Sequence, residues 1–199
     1  MERNAANQLD EIRRVARRVF GIKRLKHEQG AAMLALLGGR DALVALPTGY
    51  GKSLIYQVPA MMVKRPTIVV SPLIALMADQ ERALKKRGVP VVAFHSRLKA
   101  AERRQAVERL ERGGRLVVLT TPETIESEAT APLIERARPA LLCVDEAHCI
   151  SEWGHDFRPA YLRLAAEREA LGSPAVLALT ATATPRVRED VIADRKSVV

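Results

Sequence analysis

Two segments of this chain carry residue types that suit phosphate and metal chemistry. The first runs Leu46-Pro47-Thr48-Gly49-Tyr50-Gly51-Lys52-Ser53, and the second is the acid pair Asp145-Glu146. Glycines let backbone N–H groups surround phosphate oxygens, while a lysine can reach the β- and γ-phosphates and a serine hydroxyl can bind Mg²⁺. One carboxylate can position Mg²⁺ while its neighbour orients an attacking water. Together the two segments predict hydrolysis of a magnesium-bound nucleotide.

The glycine-rich segment departs from the strict phosphate-loop pattern at one position. That pattern has Gly six residues before the lysine, where this chain has Leu46. The alternative interpretation is a glycine-rich turn before an ordinary helix. A predicted strand before the segment and a predicted helix after it, with Gly51-Lys52-Ser53 intact, favour the phosphate loop. The nucleotide-binding residues that this pattern predicts are therefore Gly49, Gly51, Lys52 and Ser53.

A segment rich in aromatic residues follows the acid pair. It contains Trp153 and Phe157, two of only seven aromatic residues in the chain, together with His155 and Arg158. Exposed aromatic rings suit stacking on nucleobases, and arginine suits pairing with phosphate. The alternative is that Trp153 and Phe157 pack inward and only shape the loop, because aromatic side chains are usually buried.

Cys143, His148, Cys149 and His155 are an alternative metal-binding set. They lack a Cys-x-x-Cys pair, and Cys143 falls inside a predicted buried strand. Buried thiols without a metal are the simpler interpretation.

Composition and charge limit the class of protein. The chain has 199 residues, 48% of them hydrophobic, which is enough for the core of one domain. The net charge of +9 favours a polyanionic partner such as nucleic acid, although an arginine-rich solvated surface would give the same value. No apolar run is long enough for a membrane span, and two cysteines do not suggest a disulfide framework. We expect a cytoplasmic protein without a membrane partner.

Short apolar runs alternate with longer amphipathic segments along the chain. The runs are continuous and rich in β-branched residues, as in a parallel sheet buried on both faces. The predicted strands are residues 42–46, 67–70, 91–94, 116–120, 140–144 and 175–180. The predicted helices are the first 20 residues and residues 28–37, 52–63, 74–87, 99–112, 159–170 and 186–193. This alternation predicts an α/β fold with a doubly wound, mainly parallel sheet flanked by helices, which binds ligands at the carboxyl ends of its strands.

Taken in order, the segments resemble the RecQ-type DNA helicases of helicase superfamily 2, over residues 20–183. The matching motifs are motif 0 (Phe20-Gly21 with Gln29), motif I (46–54), motif Ia (70–80), motif II (145–148) and motif III (178–183). The sequence Asp-Glu-Ala-His occurs in several helicase families. The aromatic-rich loop at residues 151–161 is the most specific match to this one.

The resemblance implies a RecA-like P-loop NTPase domain that uses ATP and Mg²⁺ to act on single-stranded or tailed duplex DNA in the 3′–5′ direction, near the bacterial nucleoid. It implies that Gln29 reads the adenine edge and that Lys26, Thr48 and Tyr50 also belong to the nucleotide-binding residues. Lys52, Asp145, Glu146 and His148 would be catalytic, with Ser53 and Asp145 binding Mg²⁺ and His148 coupling ATP to motif III. The implied DNA-sensing residues are Trp153, His155, Phe157 and Arg158.

The chain departs from the family pattern in places. Ile22 and Lys26 replace a frequent Tyr and Arg, so adenine selectivity is expected to rest on Gln29 more than on stacking. Thr124 follows Pro122-Glu123, where Arg is usual near the DNA path.

The resemblance also implies a domain organisation. Residues 1–26 would form an N-terminal helix and the lead-in to motif 0, and residues 27–199 the ATP-binding domain. Only 16 residues follow Ala183, so we expect the family's second RecA-like domain, with its arginine finger, to be absent from these 199 residues. The alternative function is a truncated nucleotide-binding module that binds nucleic acid or a partner without separating strands.

Overall fold

A computed structural model of the chain describes residues 2–150 and 168–181. The described residues form one sheet of six strands: β1 (Ala42–Ala45), β2 (Thr67–Val70), β3 (Val91–Phe94), β4 (Val117–Thr120), β5 (Leu141–Val144) and β6 (Ala175–Thr180). The strand order is β1-β6-β5-β2-β4-β3, and every neighbouring pair is parallel. The predicted parallel α/β fold is confirmed. All six strands lie where they were predicted, three of them one residue shorter.

The described part of the chain contains seven helices besides this sheet. They are α1 (Glu2–Phe20), α2 (His27–Leu37), α3 (Leu54–Ala60), α4 (Ile74–Lys86), α5 (Ala100–Glu111), α6 (Pro122–Ile125) and α7 (Ala131–Ala137). A 3₁₀ turn, Ala147–Ile150, follows β5.

The two faces of the sheet contribute to two separate cores. Leu141 and Cys143 of β5 pack in the core that contains α1 to α4. Leu142 and Val144 of the same strand pack in the core that contains α5, α6 and α7. Because successive side chains of a strand point to opposite faces, an uninterrupted apolar strand is what a sheet covered on both sides requires.

The helix limits differ from the predicted ones in two ways. The helix expected at residues 52–63 is shorter, Leu54–Ala60, because Lys52 and Ser53 belong to the preceding turn and Pro59 lies near its end. Helices α6 and α7 were not predicted. Each has only four to seven residues and a proline in its first turn, so neither shows a helical hydrophobic period. In the segment expected to be helical at 159–170, residues 168–170 form a turn, and the rest of it, like 186–193, lies outside the described residues.

Helix α1 presents two different faces. One face carries Ile12, Val15, Ala16 and Phe20, which are buried in the core that contains α1 to α4. The four arginines at positions 13, 14, 17 and 18 are exposed on the other side. Among the described residues, no helix is both long enough and apolar enough to cross a bilayer.

A partly buried ion pair links the residue before β1 to the segment before β6. Asp41 precedes β1, and its carboxylate accepts hydrogen bonds of 2.7 and 2.9 Å from the Arg168 guanidinium. The same carboxylate accepts from the backbone N–H of Val176 in β6 at 2.9 Å. Arg168 also donates to the carbonyl of Pro174 at 3.1 Å. These bonds fix β1 beside β6, which in turn sets where the loops beyond both strands lie.

Candidate active site

The two segments that carry candidate catalytic residues meet at one edge of the sheet. Strands β1, β6 and β5 are adjacent and parallel, with Ala45 beside Thr180 and Val144 beside Ala178. The glycine-rich loop follows β1 and the acid pair follows β5. The loops therefore extend from the same carboxyl edge, which is where ligands of doubly wound sheets bind.

The glycine-rich loop exposes backbone donors. Gly49 and Gly51 have φ values of 80° and 83°, which are favourable for glycine and strained for other residues. The backbone N–H groups of Gly49, Gly51, Lys52 and Ser53 donate to no acceptor within the described parts of the chain. Several unpaired N–H groups in one curved loop make a concave surface suited to phosphate oxygens.

Leu46 performs two tasks that explain the departure from the phosphate-loop pattern. Its side chain is buried in the core, and its N–H donates to the carbonyl of Thr180 at 3.1 Å. Its carbonyl accepts a hydrogen bond of 2.9 Å from the Lys52 ammonium. The backbone at this position therefore extends the sheet, and a leucine side chain contributes to packing where a glycine would not.

Gln29 braces the glycine-rich loop from α2. Its side-chain nitrogen donates to the carbonyls of Tyr50 at 3.2 Å and Gly51 at 3.1 Å. Its side-chain oxygen accepts from the N–H of Lys26 at 3.0 Å. The residue is only 4% exposed. A Cβ atom on Gly51 would lie 2.8 Å from the Gln29 nitrogen, so any other residue at position 51 would force the Gln29 amide to shift.

Lys26 covers the tyrosine of the same loop. Its ammonium lies 3.0 Å from the centre of the Tyr50 ring and 3.3 Å from the Tyr50 carbonyl oxygen. This arrangement is a cation–π contact reinforced by a hydrogen bond. The structure therefore brings Lys26, Gln29 and Tyr50 together beside the loop.

Asp145 is a buried carboxylate at the end of β5, with 6% of its surface exposed. Burial raises the pKa of Asp145, and the neighbouring Glu146 carboxylate raises it further. A backbone hydrogen bond from Glu146, the positive charge of Lys52 and a side-chain hydrogen bond from Gln80 act in the opposite direction. Lys52 and Asp145 are thus close enough to interact electrostatically, as a shared phosphate and metal site requires.

Two side chains to which sequence analysis assigned no role reach the same site. Tyr56 lies in α3, is 1% exposed, and donates its hydroxyl to the side-chain oxygen of Gln80 in α4 at 3.2 Å. Burial raises the pKa of Tyr56 well above its ordinary value, and Cys143 and Asp145 add to the effect, so the hydroxyl keeps its proton. A buried phenol next to a glycine-rich loop signals a polar partner, since buried tyrosine hydroxyls usually form hydrogen bonds.

Glu146 and His148 connect the acid pair to β6. Glu146 has a φ of 50°, an uncommon left-handed conformation for a residue other than glycine, asparagine or aspartate. The Nδ1 atom of His148 lies 3.3 Å from a Glu146 carboxylate oxygen and 3.3 Å from the Thr180 hydroxyl. Thr180 is fully buried at the end of β6. Motif II and motif III are thereby in direct contact through one imidazole.

Trp153, His155, Phe157 and Arg158 lie outside the described residues. Cys143 and Cys149, members of the alternative metal set, are both buried. Within residues 2–150 and 168–181, there is no group of three or more His, Cys, Asp and Glu side chains that could bind a metal ion.

Comparison with known proteins gives similarities over most of the chain. The family model described as DEAD/DEAH box helicase matches residues 26–191. The chain is 46% identical over 190 residues to ATP-dependent DNA helicase Q5 of Rattus norvegicus, covering 92% of the chain and 20% of that protein. It is 43% identical over 174 residues to the probable ATP-dependent DNA helicase RecS of Bacillus subtilis, covering 87% of the chain and 35% of that protein.

A solved structure supports the same likeness. The helicase domain of Pyrococcus furiosus Hef has a TM-score of 0.66 and 25% identity, covering 86% of this chain and 37% of that one. The chain spans between a fifth and about a third of the length of the curated relatives named above.

Proposed function

This chain belongs to the DEAD/DEAH-box helicase family, and from that premise we propose that it is the ATP-binding and ATP-hydrolysing first motor domain of a RecQ-like 3′–5′ DNA helicase. The observation that carries the proposal is the meeting of an open glycine-rich loop, Lys52 and the buried Asp145 at one sheet edge. A catalytic site for phosphoryl transfer needs this combination of donors, cation and carboxylate.

Lys52 and the loop amides would bind the phosphates of ATP. In the structure the Lys52 ammonium donates to the Leu46 carbonyl, which keeps the lysine side chain directed along the loop. A phosphate oxygen is a stronger acceptor than a carbonyl because the hydrogen bond becomes charge-assisted on both sides. We expect the ammonium to exchange the carbonyl for a phosphate oxygen.

The donor set fits Mg²⁺. Ser53 supplies a hydroxyl and Asp145 a carboxylate, both hard oxygen ligands, and no larger acidic cage exists among the described residues. Mg²⁺ is usually bound by one or two carboxylates together with substrate phosphates rather than by an all-protein cage. When bound, Mg²⁺ would neutralise negative charge on the β- and γ-phosphates.

Glu146 would orient the attacking water, and His148 would link that step to β6. Glu146 has a left-handed backbone conformation directly after β5, and its carboxylate lies beside His148. The imidazole also contacts Thr180. A movement of Thr180 would therefore change the position of the Glu146 carboxylate through a single group, the His148 imidazole.

Gln29 would contribute to adenine selectivity while it is hydrogen-bonded to the glycine-rich loop. Its amide nitrogen is engaged with two loop carbonyls and its oxygen with the Lys26 N–H. To read an adenine edge, Gln29 would have to replace one of these bonds. We propose both roles for Gln29, recognition of adenine and bracing of the loop. Only the bracing role predicts that loss of Gln29 weakens the binding of a ligand without a base.

The DNA strand would cross the carboxyl ends of β2, β3 and β4. A groove of about 450 Å³ lies there. Its lining includes hydroxyl and basic side chains, together with one acidic side chain, from the segments after β3 and β4: His95, Ser96, Arg103, Thr121, Glu123, Thr124 and Ser127. The exposed Arg97 and Lys99 lie in the loop between β3 and α5. Hydroxyls and cations along one groove are suited to a sugar–phosphate backbone. Trp153, His155, Phe157 and Arg158 are proposed to sense the bases.

Strand separation is proposed for the whole protein rather than for these residues alone. A second RecA-like domain would supply the arginine that completes the site, a residue worth about 10³–10⁵ in turnover in related phosphoryl-transfer enzymes. We further propose that the protein acts in the cytoplasm, on nucleoid DNA.

Phosphate release from ATP tests the proposal against the non-hydrolysing alternative. We expect slow turnover by the 199-residue polypeptide, stimulated by single-stranded DNA. Glu146→Gln should abolish this turnover while leaving ATP binding intact. If the wild-type chain binds ATP but releases no more phosphate than Glu146→Gln, the alternative of a nucleotide-binding module would be the better account.

A further inference from the structure

We propose that Gln80 is a positioning residue for the carboxylate of Asp145, and that the Tyr56 hydroxyl sets the orientation of the Gln80 amide. This inference rests on the proposed function, since it gives Gln80 a role at the same magnesium–ATP site. The three residues come from three different elements, α4, the end of β5 and α3.

The chemistry of an amide determines which way Gln80 faces. Its oxygen accepts the Tyr56 hydroxyl at 3.2 Å, so the NH₂ end is the one left for Asp145. A carboxylate only accepts hydrogen bonds, so it needs the NH₂ end. If the amide were reversed, its oxygen would face the carboxylate, and two acceptors would be in contact within a buried site.

A neutral donor suits this position better than a cation. Asp145 is 6% exposed and must be oriented without losing the negative charge that a metal requires. An amide N–H orients a carboxylate without neutralising its negative charge. A lysine or arginine at position 80 would compete with the metal for the same oxygens.

The network also joins the nucleotide loop to the metal carboxylate. Tyr56 lies three residues after Ser53, so its position follows that of the loop that precedes α3. Partners of metal ligands usually fix the ligand's orientation, and their loss typically costs about 10–100-fold in metal affinity. The expected consequence of losing Gln80 is a weaker response of ATP binding to Mg²⁺.

The test measures binding of a fluorescent ATP analogue to the 199-residue chain in excess Mg²⁺ and in EDTA. The ratio of the two affinities is the gain due to Mg²⁺. We expect Gln80→Leu to reduce this gain by roughly tenfold, with affinity in EDTA unchanged, by analogy with other partners of metal ligands. Tyr56→Phe, which leaves Gln80 in place but unfixed, should reduce the gain by a smaller factor. Gln105→Leu makes the same change at an exposed site on α5 and should leave the gain unaltered.

The outcomes separate this inference from the proposed function. A wild-type gain that persists in full in a folded Gln80→Leu chain would overturn the positioning role while leaving the proposed function intact. Equal loss of affinity in Mg²⁺ and in EDTA would also overturn it, because that result indicates general damage to the loop. A wild-type chain with no gain from Mg²⁺ would overturn the magnesium site itself. If Gln80→Leu does not fold, Tyr56→Phe provides the test. A reduced gain from Mg²⁺ in that variant would support the positioning role, and an unchanged gain would overturn it.

Discussion

The side-chain nitrogen of Gln29 lies 3.1 Å from the carbonyl oxygen of Gly51, across 22 residues of chain. This contact and its companion to Tyr50 tie α2 to the glycine-rich loop. A residue that the family resemblance assigns to the nucleobase is, in this structure, a brace for the loop that would bind phosphate.

Gln29→Ala should weaken binding of inorganic triphosphate as well as ATP. Two hydrogen bonds to the loop are lost, each worth about 0.5–1.5 kcal/mol, so affinity for triphosphate should fall by roughly tenfold or more. Calorimetry with triphosphate, ATP and GTP measures both roles. A narrower gap between ATP and GTP would support the additional reading of adenine. Unchanged triphosphate affinity would contradict the bracing role.

Gly51→Ala should be more harmful than Gly49→Ala. Both positions have positive φ, so both variants carry backbone strain. Only at Gly51 would the added Cβ approach the Gln29 nitrogen, at 2.8 Å, whereas at Gly49 nothing lies within 4 Å. ATP affinity of the two variants, measured side by side, gives the comparison. Equal losses would mean that strain alone, and not the Gln29 contact, decides the effect.

Asp41→Ala should destabilise the domain by about 2 kcal/mol, because Arg168 and the Val176 N–H would lose their shared acceptor. Asp79→Ala is the matched control, since its ion pair with Arg82 is exposed on α4 and should contribute no more than about 0.5 kcal/mol. Chemical denaturation of the three proteins gives the free energies of unfolding. Similar values for the two variants would contradict the importance of the Asp41 pair.

Asp145→Asn should stabilise the nucleotide-free domain at neutral pH. The pKa of Asp145 is raised by burial and by Glu146, so the folded state holds the proton more tightly than the unfolded state does. The carboxyl group therefore favours folding at pH values below its unfolded pKa, and this contribution disappears as the pH rises through the folded pKa. At neutral pH the buried charge is a cost that asparagine removes.

Thermal unfolding as a function of pH checks this expectation. The midpoint of Asp145→Asn should exceed that of the wild type at neutral pH, and the difference should shrink toward acid pH. A variant that is less stable than the wild type at neutral pH would show that the charge of Asp145 is already compensated by its neighbours.

The DNA path predicts an effect of charge at one sheet edge only. Arg97→Ala with Lys99→Ala removes two exposed charges near the groove at the carboxyl edge. Lys64→Ala with Arg65→Ala removes two exposed charges before β2, at the opposite edge. For single-stranded DNA, the first pair should make the negative slope of log affinity against log salt shallower by roughly 1.4, and the control pair should leave the slope unchanged. Equal effects would indicate a diffuse electrostatic attraction instead of a defined path.

Sequence patterns predicted the strands and placed the two candidate catalytic segments at strand ends, because both features depend on local chemistry. A continuous β-branched run such as Thr67–Val70 indicates a strand that is buried on both faces. Glycines at positions 49 and 51 suit a turn in which φ is positive. Helices α6 and α7 escaped prediction because each is too short to show a period.

The contacts that join distant segments could not be predicted in the same way. Leu46 departs from the loop pattern, and only the structure shows that its side chain packs in the core and that its carbonyl accepts a hydrogen bond from Lys52. The bonds from Tyr56 to Gln80 and from Gln29 to Gly51 span 24 and 22 residues. Such pairs depend on the strand order, which places β1 far from β2 and next to β6.

Binding of ATP with Mg²⁺ to the wild-type chain and to Lys52→Ala tests the central claim most directly. Calorimetry should show a loss of roughly 10–100-fold for Lys52→Ala, because a hydrogen bond to a charged group is worth about 1.5–3 kcal/mol. Lys64→Ala, which removes an exposed lysine at the other sheet edge, should bind ATP like the wild type. Equal ATP affinity of the wild-type and Lys52→Ala chains, both folded, would contradict the assignment of this loop as the phosphate-binding site.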